Sequence, residues 1–74
     1  FASAAQLESE WRAWLVSARA VLLEGDSSTA SEYAARAESG RAALQARWDE
    51  DNYRGYARRP DIQVRLKQLG QLLG

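Results

Sequence analysis

Between Ala4 and Leu22, the apolar residues Ala4, Leu7, Trp11, Trp14, Leu15, Ala18, Val21 and Leu22 keep the spacing of one helix face. At 100° per residue they fall in an arc of about 120°, which is a helical stripe and not the alternation of a strand. Ser3 and Gln6 stand three apart at its start. That spacing makes a capping box, in which hydroxyl and amide side chains close the first free N–H groups. Gly25 follows the last periodic residue, where a glycine with a left-handed backbone ends a helix. The first helix is expected over about 4–24.

Gly25-Asp26-Ser27-Ser28 is short and polar, so the next element should fold back antiparallel. Thr29-Ala30-Ser31-Glu32 reads as a second capping box. Ala30, Tyr33, Ala34, Ala37, Gly40, Leu44 and Trp48 then continue at helical spacing. Counted from the turn, Trp11 and Trp14 arrive opposite Ala37 and Gly40, with Leu7 near Leu44 and Trp48. Indoles against small residues give the interdigitation that close packing needs. This accounts for Gly40 inside a helix, where glycine costs about 1 kcal/mol relative to alanine. Asp49, Glu50 and Asp51 oppose the dipole at a helix C-terminus. Either the helix runs on, giving a span of about 30–53, or Asp51 caps a new turn.

Pro60 and Asp61 suit the first turn of a third helix, expected over about 61–73. Ile62, Leu66, Leu69 and Leu73 recur at intervals of four, three and four, a heptad-like seam. Ile62, Val64 and Leu66 also alternate as a strand would, but no second strand is evident to pair with them. The expected fold is therefore a single all-α domain over 1–74. It is an antiparallel helical hairpin of two long helices plus a shorter C-terminal helix.

Composition excludes several kinds of chemistry. The 74 residues include no cysteine and no histidine, so disulfides, thiolates and imidazole ligands or bases are all impossible. Asp49, Glu50 and Asp51 are adjacent and would diverge on a helix, without the alternation of a calcium loop. Ser27, Ser28 and Thr29 read as capping residues, and Lys67 is the only lysine, so a nucleophile lacks a base. No catalysis, cofactor or metal is expected. The longest apolar run, Ala20 to Leu23, falls far short of the roughly 20 residues that span a bilayer, and the composition is that of a soluble domain. No compartment is assigned. The start at Phe1, with no methionine in the chain, is expected of a piece cut from a longer precursor, although an artificial boundary would look the same.

Below roughly 70–80 residues, a single core rarely supplies more than about 3–5 kcal/mol, so a chain without staples depends on very good helix packing or on a partner. The formal net charge is zero, but the arginines Arg54, Arg58, Arg59 and Arg65, with Lys67, gather in the last third. Tyr53, Arg54, Tyr56, Arg58 and Arg59 interleave aromatic and guanidinium groups, a combination favoured at protein interfaces and also able to stack on bases. The structural alternative is that Arg58 or Arg59 neutralises the acidic trio while the tyrosines cover the open end of the hairpin. Val16 and Leu23 lie on the back of the first helix, and Val64 and Leu72 lie off the seam of the third, as a second contact surface would. The third helix either covers Val16 and Leu23 or swings clear at Gly55 and Pro60. Swinging clear is the expectation.

The expected function is a non-catalytic protein–protein interaction or structural module, either a small subunit of a larger complex or a self-associating helical unit. Its partner-binding residues would be Tyr53, Arg54, Tyr56, Arg58 and Arg59 with the seam Ile62, Leu66, Leu69 and Leu73. The alternative is a small nucleic-acid-binding protein that uses the Tyr/Arg segment 53–59, although a basic excess over the whole chain is lacking.

Overall fold

Both ends of the first helix form as their residues dictate. Ser3 and Gln6 make the reciprocal capping box, at 3.2 Å from the Gln6 N–H to the serine hydroxyl and 3.0 Å from the Ser3 N–H to the Gln6 amide oxygen. Gly25 adopts φ +91°. Its N–H donates to the Leu22 carbonyl and that of Asp26 donates to the Val21 carbonyl, each at 3.0 Å. This is a Schellman motif, and an L-residue at Gly25 would be strained. The computed structural model describes residues 3–73, so Phe1 lies outside the described residues.

Four helices follow in order: α1 (Ala4–Leu23), α2 (Ser27–Arg47), α3 (Glu50–Ala57) and α4 (Pro60–Leu73), with no strand among the described residues. The second helix begins earlier than the capping box at Thr29 implied. Its N-cap is Asp26, whose carboxylate accepts from the Thr29 N–H at 3.0 Å and from the Thr29 hydroxyl at 2.7 Å. A carboxylate placed directly after the Schellman turn reaches the free N–H groups first, so Thr29 becomes a partner of the cap.

α2 also stops sooner than the expected end near 53. Trp48 turns to an extended backbone, and Asp49 caps α3, accepting from the Asn52 N–H at 2.7 Å. Glu50 and Asp51 then occupy the first turn of α3. The three acids disfavour a helix end and favour a helix start, which is why the chain breaks here. The capping residue is Asp49, not Asp51.

α1 and α2 pack closely along their length. The buried face of α2 is Ala30, Ala34, Ala37 and Leu44, set against Trp11, Leu15 and Ala18 of α1. The helices approach closely at Gly40, where an added Cβ would stand 3.1 Å from the Cβ of Trp11. Trp11 is fully buried, as its spacing predicted. Trp14 is partly buried at the edge of that core, with its ring 5.2 Å from that of Tyr33 and the Arg36 guanidinium 4.9 Å above it.

α4 does not swing clear. It lies against both α1 and α2, with Ile62 and Leu69 fully or almost fully buried in the common core. Burying two such side chains contributes about 1.5–3 kcal/mol each, which outweighs the freedom offered by the breaks at α3. Nor does α4 cover the back of α1, since Val16 and Leu23 stay exposed. The fold is 38 × 28 × 17 Å. Its least dimension is under two helix diameters of about 10–12 Å, so the long helices each keep a face in water.

Candidate functional site

The aromatic and basic residues of segment 53–59 are largely engaged within the fold. Tyr56 is buried, and its ring meets the edge of Trp48 at 5.0 Å between centroids. Its hydroxyl accepts from the Trp11 indole N–H at 3.1 Å and donates to Glu8 Oε1 at 3.3 Å. The same carboxylate oxygen accepts from Arg12 at 2.8 Å. Burial pushes the Tyr56 phenol up to about 12, since a phenolate would lose its hydration there. The half-buried Tyr53 accepts from Arg41 at 2.7 Å. Arg41 in turn grips Glu38, a hydrogen-bonded pairing that raises the Arg41 pKa and lowers that of Glu38.

The arginines divide. Arg54 pairs with Glu50 at 2.8 Å and Arg59 with Asp61 at 3.0 Å. The acidic trio is thus met by Arg54, and not by Arg58 or Arg59. Arg58 is exposed and has no carboxylate within ion-pair distance among the described residues. Of the seam, Ile62 and Leu69 belong to the core, Leu66 is half-buried against it, and Leu73 remains exposed. Ile62 and Leu69 therefore face the core, whereas Tyr56, although mostly buried, still lines an open groove with Trp48, Asn52, Gly55 and Arg59. Burial takes Ile62 and Leu69, but not Tyr56, out of the expected docking surface.

Another open surface runs along the seam between α1 and α4. Three adjoining grooves follow it, and Arg19, Arg65 and Gln68 are each shared between two of them. Val16 and Val64 project here, each 56% exposed, and Leu23 is 89% exposed at the C-terminal end of α1. Leu22 and Leu72 line that same end. Arg19 and Arg65 have no carboxylate within 4.0 Å among the described residues. The off-stripe positions of Val16, Leu23, Val64 and Leu72 already marked these aliphatics. The convergence of Arg19 and Arg65 was not legible, because nothing in the sequence sets the angle at which α4 crosses α1.

Among the described residues, no three carboxylates gather where a metal ion would be held, and no buried side-chain polar atom lacks a hydrogen-bond partner. Among the described residues, no helix is long and apolar enough to cross a membrane. Comparison with protein-family models, with curated proteins and with solved structures finds no match.

Proposed function

We propose that this chain is a non-catalytic interaction module that acts by seating another protein along the α1–α4 face. The observation that carries the reading is the aliphatic row Val16, Leu22, Leu23 and Val64, left in water on the seam between two helices. Single exposed aliphatics are ordinary, but several along adjoining grooves of one seam are the usual mark of a contact surface. The satisfied interior supports the same reading. Among the described residues, no Asp, Glu, Lys or Arg is buried, so none of their carboxylates or amines is held in the desolvated setting that acid–base chemistry uses.

The nucleic-acid reading has less support. Tyr56 is buried, Tyr53 is held by Arg41, and Arg54 and Arg59 are paired with acids, so the groups that would stack on bases are mostly committed.

The test is native mass spectrometry of the tagged chain isolated from its own source. A stoichiometric assembly is expected that is lost when Val16→Asp and Val64→Asp are combined, with circular dichroism showing the variant still helical. A chain that is monomeric and alone, or an assembly indifferent to the two substitutions, would overturn the proposal.

A further inference from the structure

Resting on that reading, the chemistry of the groove narrows its occupant. The aliphatic row is accompanied by Arg19, which reaches both the groove of Leu22 and Leu23 and that of Val64. Arg65 reaches both the groove of Val16 and that of Val64. Neither guanidinium is neutralised within the described fold, and the nearby acid Asp61 is already held by Arg59. We infer that the α1–α4 groove receives an amphipathic helix whose apolar face is flanked by carboxylates.

Each part of that description answers a feature of the groove. A helix laid between two helices presents side chains at i, i+3, i+4 and i+7, a spacing that spreads apolar contacts along adjoining grooves such as these. Carboxylates beside that row pair with guanidinium groups, which offer donors in a planar fork.

A second copy of the chain fits less well. In a two-fold contact the same patch meets itself, which brings Arg19 and Arg65 of both copies to one interface. Four of the acids, Glu32, Glu38, Glu50 and Asp51, lie on α2 and α3, where no large hydrophobic residue is exposed, and on α1 Glu8 is already held by Arg12. No aromatic residue lines these grooves, so they offer no platform for bases.

The test uses two fluorescent synthetic helical peptides with the same leucine seam, one flanked by glutamates and the other by lysines. Anisotropy titrations against the full chain at low salt should show the glutamate peptide bound at least about tenfold more tightly, because charge complementarity suppresses the wrong partner. The preference should shrink with added salt as the screening length falls. Combining Arg19→Glu with Arg65→Glu should invert it, and Val16→Asp with Val64→Asp should abolish binding of both peptides. Amide shifts in a labelled chain should map to α1 and α4 and not to α2.

Equal affinity for the two peptides, tighter binding of the lysine peptide, or no binding of either overturns the inference. So does a sedimenting dimer broken by the Val16 and Val64 substitutions, or tight binding of a single-stranded oligonucleotide at this face. The broader proposal survives these results if the native assembly still depends on Val16 and Val64, and it falls with the inference if the chain is alone.

Discussion

The indole N–H of Trp11 donates to the hydroxyl of Tyr56 at 3.1 Å, across 45 positions of sequence. The bond ties the middle of α1 to the last turn of α3 and closes the open end of the hairpin. Trp11 is fully buried, so its N–H has no water to turn to. Tyr56→Phe should destabilise the fold by about 1–3 kcal/mol, the cost of a buried donor left without an acceptor. Urea denaturation followed by tryptophan fluorescence measures it, and an unchanged midpoint would mean that the bond contributes nothing.

The same tyrosine sets an alkaline limit. Its phenol ionises near 10 when unfolded and is pushed up to about 12 in the fold by burial. Between those values the unfolded chain has lost a proton that the folded chain retains, so stability falls as pH rises. Below about 10 this contribution is fully present. Stability of the wild-type chain should therefore drop from about pH 10 to 12, and Tyr56→Phe should flatten that part of the profile. The difference in phenolate absorbance between the two proteins should show a midpoint at about 12.

Gly40 is held to its size by Trp11. A Cβ there would stand 3.1 Å from the Trp11 Cβ and 3.5 Å from its backbone, so Gly40→Leu should cost about 1–3 kcal/mol through overpacking. Gly40→Ala should do less harm, since alanine recovers about 1 kcal/mol of helix propensity. If thermal denaturation shows the leucine variant as stable as wild type, the helices do not approach closely at this point.

Truncation before α4 tests whether that helix is structural. Removing residues 60–74 strips Ile62 and Leu69 from the shared core and exposes the faces of α1 and α2 they covered. The remainder should lose its cooperative unfolding transition and bind a hydrophobic dye. A truncated chain that melts as sharply as the whole would show that the hairpin stands alone.

The hairpin was legible because its signals are local. The stripe from Ala4 to Leu22, the Ser3–Gln6 cap and the turn glycine each specify structure within a few residues. The placement of Gly40 against Trp11 also followed, since an antiparallel pair counted from a tight turn has one register. The start of α2 did not. Asp26 and Thr29 are both good caps, and only the geometry of the Gly25 turn decides that Asp26 reaches the free N–H groups first. The break after Trp48 was half visible in the acids that follow it.

The candidate site was read less well, for a physical reason. Ile62 and Leu69 looked available because aliphatic side chains serve interfaces and cores alike. Which role they take depends on where α4 crosses the hairpin, a relation between distant segments. The same crossing brings Arg19 beside Arg65, and no spacing within either helix announces it.

Because Glu24, Gly25 and Asp26 alone join α1 to α2, the order of folding should be strongly biased. Contacts of the hairpin begin close to the turn and zip away from it, so each new pair closes only a small additional loop. Such local topology belongs to fast-folding helical proteins. The Trp11–Tyr56 bond and the seat of α4 need far larger loop closures and should form last. We expect mutations beside the turn, such as Ala30→Gly, mainly to slow folding, and mutations at Tyr56 or Leu69 mainly to speed unfolding. Stopped-flow chevrons would separate the two groups. A Leu69 variant that slows folding as much as it destabilises would place the last helix in the nucleus instead.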